Sequence, residues 1–302
     1  MKGIVLAAGK GTRLYPMTKT VCKPLLPVYD KPLIYYPIAI LMQAGISEIL
    51  IIVPPGETET FNTLLGSGSQ FGLRISYAEQ PVARGIADAL LIGADFLNGD
   101  DVCLALGDNI FYAPTLAATL KRAAANEWGA TVFGYWVEDP RPFGVVEFDK
   151  DGRAISIAEK PRYPKSNYIV PGLYFYDHQV MEIARNLKPS ARGELEITDV
   201  NLEYLRRGEL QVIPLEKNVT WLDAGTADSL LEAGQAIRHI QDTLHLATKV
   251  GVARSVNNID LISLIIDRHV LGKNRDTSFP FQIIVIHELI RFCLSFTEKL
   301  TG

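Results

Sequence analysis

Along the first half of the chain, short continuous apolar runs alternate with segments of helical spacing. Lys2–Ala8 carries Ile4, Val5 and Leu6 in one run, the pattern of a strand covered on both faces. Ile49–Val53, Ile75–Ala78, Val102–Leu106 and Ala130–Trp136 repeat it. Between them, Leu33–Ala44 (stopped by Gly45), Thr58–Leu65, Ile86–Ala94 and Thr115–Asn126 read as helices. Buried strands alternating with helices predict an α/β fold, a Rossmann-like, doubly wound and mostly parallel sheet flanked by helices.

From Phe143 the texture changes. Val145–Phe148, Ile155–Glu159 and Leu173–Tyr176 read as strands joined by polar turns, and a further strand is expected at Gln211–Leu215. Helices at Gln179–Leu187 and Ile197–Arg207 intervene. This predicts a smaller β-rich part following the parallel one. The residues from His239 onward follow a different pattern. Ile259–Ile266 and Phe281–Leu294 are apolar or amphipathic and joined by a polar loop, which predicts a helical tail that packs. The expected organisation is therefore residues 1–238 and a tail of 239–302, the first divided near residue 140.

Composition excludes several classes. Hydrophobic residues make up 48% and charged residues 21%, ordinary for a chain that folds around a core. The formal net charge of -4 argues against nucleic acid as a partner. Cys22, Cys103 and Cys293 make neither a disulfide framework nor a CxxC, so a reducing compartment is expected. Five scattered histidines with no HExxH argue against zinc, and there is no Gly-x-Ser-x-Gly elbow for a serine hydrolase. Phe281–Phe296 is too short and too charged to span a bilayer, and no segment reads as a targeting signal. A cytoplasmic protein without a membrane partner is expected.

The charge is unevenly placed, and this points to chemistry. Residues 1–31 carry a balance of +5, leaving -9 for the rest. A basic segment on an acidic protein suggests a focused anion site, although a solvated surface run is the plainer alternative. Leu6-Ala7-Ala8-Gly9-Lys10-Gly11-Thr12-Arg13-Leu14 follows the first strand and satisfies neither the phosphate-loop nor the dinucleotide spacing. Its physics is nonetheless that of an anion cradle: small residues admit a phosphate to backbone N–H groups, and Lys10 and Arg13 add charge. Asp108 ends a buried strand at Leu106-Gly107-Asp108-Asn109, where open α/β sheets bind ligands, and a carboxylate there can hold Mg²⁺.

Leu6–Leu14, Lys23-Pro24-Leu25-Leu26-Pro27-Val28 and Asp30-Lys31-Pro32 resemble the sugar-1-phosphate nucleotidyltransferases. The stretches Val28–Pro37, Gly193–Asn201 and Trp221–Thr226 resemble the glucose-1-phosphate thymidylyltransferases among them. The motifs stand in the family's order from about residue 1 to 238. Ala8, Pro24, Phe143 and Ala224 depart from the common residues, and none of these removes a charged group.

The resemblance implies that the chain makes dTDP-glucose and pyrophosphate from dTTP and glucose 1-phosphate, feeding dTDP-rhamnose or other deoxysugar synthesis. It implies Mg²⁺ as cofactor, on Asp108 and Asp223, and a homotetramer. Leu6, Ala8, Gly9, Gly11, Thr12, Arg13, Lys23, Gln80, Gly85 and Asp108 are implied for the nucleotide. Gln80 would read the base, Arg13 would face the leaving pyrophosphate and Lys23 the phosphates during transfer. Asn109, Gly144, Glu159, Lys160, Val170, Tyr174 and Arg192 are implied for the sugar phosphate. The catalytic set is then Arg13, Lys23, Asp108 and Lys160. The alternatives are a uridylyltransferase, a non-catalytic sugar-nucleotide-binding regulatory protein and, disfavoured by the absent third glycine, a nicotinamide oxidoreductase. The tail does not match the family, which predicts weak or absent feedback inhibition by dTDP-rhamnose.

Overall fold

A computed structural model of the chain describes residues 1–249, and the side chains of residues 1–243. The expectations for Ile259–Ile266, Phe281–Leu294 and the regulation of the tail lie outside the described residues.

The first half lays down β1 (Lys2–Leu6), β2 (Pro27–Val28), β3 (Lys31–Pro32), α1 (Tyr35–Gln43), β4 (Glu48–Val53), α2 (Thr58–Leu65) and β5 (Arg74–Glu79). There follow α3 (Asp88–Ile92), α4 (Ala94–Leu97), β6 (Val102–Leu106), β7 (Asn109–Tyr112), α5 (Leu116–Ala124) and β8 (Ala130–Trp136). The second half adds β9 (Gly144–Phe148), β10 (Ala154–Glu159), β11 (Tyr168–Ile169), β12 (Leu173–Tyr176), α6 (Val180–Asn186) and α7 (Ile197–Arg207). It closes with β13 (Leu210–Pro214), β14 (Thr220–Asp223) and α8 (Ala227–Lys249).

Ten strands form one mixed sheet in the order β10-β9-β11-β8-β12-β6-β1-β4-β5, with β13 paired to β8. β5, β4, β1 and β6 are parallel and in step: Leu6 lies opposite both Ile52 and Leu106, and Val53 opposite Glu79. Their carboxyl ends therefore line one edge, where a doubly wound sheet places its ligands. β12 enters antiparallel between β6 and β8, and β9, β10 and β11 continue antiparallel. The expected β-rich part is thus continuous with the parallel sheet.

One face of the sheet packs Ile4, Leu50, Ile52 and Leu104 against Leu90 of α3, Leu97 of α4, Ile183 of α6 and Tyr204 of α7. On the other face, Gly3 lies against Leu41 of α1. A second cluster joins Val28, Leu33, Tyr36, Ile110 and Ala224 to Ala233 and Ile237 of α8. α8 runs through residue 239 without a break, so the described part of the tail is the end of a helix anchored on this cluster.

Several segments differ from the sequence reading. Ile86–Ala94 was expected as one helix, but helical structure begins at Asp88 and is interrupted at Gly93, with Ala94 opening α4; residues 86–87 are tied to a distant segment instead, Ala87 N–H donating to the Leu195 carbonyl at 3.1 Å. β7 and β14 were not foreseen. Among the described residues they pair only with each other, in antiparallel register from Thr220↔Tyr112 to Asp223↔Asn109, and neither NIFY nor TWLD alternates apolar and polar residues. This pairing sets the second acid of the site beside the first. Among the described residues no helix is long and apolar enough to cross a membrane.

Candidate active site

β1 stops at Leu6, and Ala7 N–H makes the last ladder-like bond, 2.8 Å to the Ile52 carbonyl. The N–H groups of Ala8, Gly9, Lys10 and Gly11 then have no protein acceptor among the described residues. Gly11 has φ +60°, and a Cβ there would lie 2.9 Å from Thr18 Cγ2 and 3.1 Å from Lys23 Cβ. Only glycine folds the loop this tightly onto Lys23. Thr12 and Arg13 open a short 3₁₀ turn after it. Leu6, Ala8, Gly9, Gly11, Thr12, Arg13 and Lys23 are therefore one structural unit at the end of β1.

Gly107 N–H donates to the Leu6 carbonyl at 2.9 Å, which carries the chain after β6 over the end of β1 and delivers Asp108 to the same loop. Lys23, only 6% exposed, meets Asp108 Oδ2 at 2.5 Å. The other oxygen, Oδ1, receives Asn109 Nδ2 at 2.8 Å. Asn109 is held in turn by Gly172 N–H at 3.1 Å and Trp221 Nε1 at 2.7 Å, both on its Oδ1. Asp108 is thus gripped at both oxygens, and its cation is desolvated, the situation in which a buried ion pair needs its partner most.

Ala224 N–H donates to the Asp108 carbonyl at 3.2 Å and seats Asp223 next to Asp108. The Asp223 carboxyl is raised above its ordinary value, first by burial and then by the charge of Asp108, while Lys23 and Arg13 pull it down. The Arg13 guanidinium and both Asp223 oxygens press on Gly225: a Cβ there would lie 3.0 Å from Arg13 Nη2 and 2.9 Å from Asp223 Oδ2. Two carboxylates that repel one another between two cations are hard oxygen donors suited to a divalent cation, whose charge would relieve the repulsion.

Arg13, Asp108 and Asp223 face a cleft of about 500 Å³ that also receives Asn109, Gly144, Glu159, Lys160, Val170 and Tyr174. At its far end Glu159 is fixed by Thr198 Oγ1, 2.5 Å from Oε2, and by Arg192 Nη2, 3.4 Å from Oε1. Arg192 stands one residue behind it, shared among Glu159, Glu194 and Glu196. Lys160 has φ +42°, a conformation costly for a side chain with a Cβ, and its N–H donates to the Phe143 carbonyl at 3.0 Å. Its Nζ lies 3.5 Å from Glu159 Oε1. Burial, Glu159 and Asp108 push the Tyr174 phenol up, so it stays neutral.

Gln80 and Gly85 sit apart from this cleft, at the end of β5, with Ile86 bridging to the cleft wall. Sequence reasoning left Thr198 and Trp221 without roles, although both lie in quoted motifs. Their signal is the contact each makes with an assigned residue, Glu159 and Asn109, across 39 and 112 positions.

A parallel sheet edge with a glycine-rich loop, an acid pair and a polar cleft defines a nucleotide-dependent group-transfer site. A family model described as nucleotidyl transferase matches residues 2–240, and the chain belongs to that family. Within the family it is similar to glucose-1-phosphate thymidylyltransferases. That of Neisseria meningitidis is 56% identical over 82% of this chain and 86% of the relative. That of Xanthomonas campestris is 59% identical over 80% of this chain and 81% of the relative. The crystal structure of a Bacillus anthracis chain assigned to the same activity, solved with a sucrose, aligns with TM-score 0.73 at 43% identity, covering 79% of this chain and 95% of that one. A UDP-glucose pyrophosphorylase complexed with UDP-glucose aligns with TM-score 0.69 at 25% identity, over 79% of this chain and 98% of that one.

Proposed function

We propose that this chain transfers a thymidylyl group from dTTP to glucose 1-phosphate, releasing pyrophosphate and forming dTDP-glucose. The observation that carries the reading is the meeting of Arg13, Asp108, Asp223, Glu159 and Lys160 in one cleft. The identities to thymidylyltransferases favour dTTP over UTP.

A phosphate oxygen of the sugar phosphate attacks the α-phosphorus of dTTP. The new P–O bond forms as the bond to the β-phosphate oxygen breaks, and pyrophosphate leaves with the electron pair. The nucleophile is already anionic, so no general base is needed, and catalysis is positioning plus stabilisation of charge. The open N–H groups of Ala8–Gly11 cradle the triphosphate, helped by Thr12. Arg13 faces the leaving pyrophosphate and Lys23 the phosphates during transfer. Glu159 holds a sugar hydroxyl and Lys160 the sugar phosphate, with Arg192 behind them. Gly144, Val170 and Tyr174 shape the sugar pocket. Asp108 and Asp223 would hold Mg²⁺. When bound, the ion supplies positive charge against two mutually repelling anions.

On this reading residues 1–238 are the catalytic unit, with the nucleotide near the end of β1 and the sugar near β9 and β10, and 239–302 form a tail. A cytoplasmic homotetramer supplying dTDP-rhamnose or another deoxysugar is the proposed setting. Pyrophosphate release measured with glucose 1-phosphate, Mg²⁺ and dTTP or UTP in parallel tests it: higher kcat/KM with dTTP is expected, and a preference for UTP overturns the base assignment.

A further inference from the structure

Gln80 is 5% exposed, yet its amide is only half satisfied. Nε2 donates to Asp88 Oδ2 at 2.9 Å and, at a longer 3.5 Å, to the Gly85 carbonyl. Oε1 has no donor among the described residues, and a buried acceptor without a donor carries a penalty that a ligand N–H would remove. Asp88 is 1% exposed at the start of α3, and its Oδ1 takes Arg84 Nη2 at 2.7 Å. An ionised carboxylate only accepts hydrogen bonds, so the nitrogen end of the amide must face it. The backbone leaves no slack. Gly85 has φ +105° and lies against the Leu195 backbone with no room for a Cβ, while Leu195 N–H donates to the Arg84 carbonyl at 2.6 Å.

We infer that Asp88 is a positioning residue: it locks the Gln80 amide with its carbonyl turned outward, so that the site accepts a nucleobase with a ring N–H and rejects one with a ring-nitrogen acceptor. Thymine and uracil present N3–H and pair with the carbonyl. Cytosine presents a bare N3, and two acceptors then face each other. A free glutamine would turn its amide over to suit cytosine, whereas one tied to a carboxylate loses that bond by turning. Arg84, on the opposite oxygen, keeps Asp88 from following such a turn. The lock reads the ring edge and not the 5-methyl group, so it does not distinguish thymine from uracil. The inference rests on Gln80 as the base-reading residue.

The test is kcat/KM with dTTP, dTTP's 2′-deoxyuridine analogue and dCTP for the unaltered protein, Gln80→Ala and Asp88→Asn. An asparagine can accept or donate, so it permits both amide orientations. For Asp88→Asn, the dTTP:dCTP ratio is expected to fall about tenfold or more, the scale of one mispaired hydrogen bond. The ratio of dTTP to the deoxyuridine analogue and the KM for glucose 1-phosphate are expected to hold. A purely structural role for Asp88 would lower all three nucleotides alike, and that result overturns the inference. If Gln80→Ala leaves the dTTP:dCTP ratio unchanged, the base-reading role fails and takes the inference with it. If Gln80→Ala collapses the ratio while Asp88→Asn does not, Gln80 keeps its role and the lock alone is overturned. Should Asp88→Asn not fold, the Gln80 side-chain NH₂ resonances of the unaltered protein decide. Slow exchange of these protons with solvent that persists on adding dTTP supports the lock, and loss of that protection on adding dTTP overturns it.

Discussion

The two ends of the cleft are built in opposite ways. At the parallel edge the groups are exposed to one another's charge or left open: four loop N–H groups without protein acceptors among the described residues, and an Asp223 whose carboxyl is raised by burial and then by the charge of Asp108. At the antiparallel end the polar groups already satisfy each other, Glu159 with Thr198, Arg192 and Lys160. The first end is an electrostatic site waiting for phosphate and cation. The second is a shaped hydrogen-bonding pocket held together before the sugar arrives. A site made of frustrated charge should fail when charge is removed, and a site made of satisfied bonds should fail when geometry is loosened.

The largest effect is expected from Asp108→Asn, which keeps the shape of the side chain and removes its charge. Turnover should fall by about 10²–10³, the scale of one preorganised electrostatic contact. Near-normal turnover at saturating substrates and limiting Mg²⁺ would dissolve the distinction between the two ends.

Next come the cations. Lys23→Met and Arg13→Met should lower kcat by roughly 10- to 100-fold with little change in KM for glucose 1-phosphate, because they face charge that develops during transfer. Lys160→Met, at the other end, should raise that KM first. Steady-state kinetics with each substrate varied separates the two patterns, and an identical response at both ends would count against the division.

Thr198→Val removes the hydroxyl that fixes Glu159 without touching a charge. KM for glucose 1-phosphate should rise about 5- to 10-fold, corresponding to one hydrogen bond, while KM for dTTP stays constant. An equal rise for dTTP would show that the ends are not independent.

The smallest effect is thermodynamic. A carboxyl raised by burial binds its proton more tightly in the folded than in the unfolded state, so stability from Asp223 is lost as pH rises through its raised value. Asp223→Asn escapes that loss. In metal-free buffer at neutral pH its Tm should rise by roughly 1–2 °C, the shift of about 1 kcal/mol in a chain of this size. The gain should shrink as pH falls through the raised carboxyl range. Calorimetry across that range checks it, and a lower Tm at neutral pH would mean that Asp223 is not held against a like charge.

Much of this was legible from residues alone, and the reason differs by element. Val102–Leu106, Thr58–Leu65 and Ile197–Arg207 coincide with their expected bounds because each carries its signal, an unbroken apolar run or a helical spacing, within its own length. The glycine loop and Asp108 were legible as chemistry, since a loop of small residues and a carboxylate at a strand end announce their use locally. What the tertiary structure decided are the pairings between distant positions: β7 with β14, which sets Asp223 beside Asp108; Trp221 on Asn109; Thr198 on Glu159; and Asp88 on Gln80. None of these pairings is written in the periodicity of either segment. Each is specified by where the sheet edge and its crossovers bring two short segments together, and by the need of a buried polar group for a partner that only the folded chain supplies.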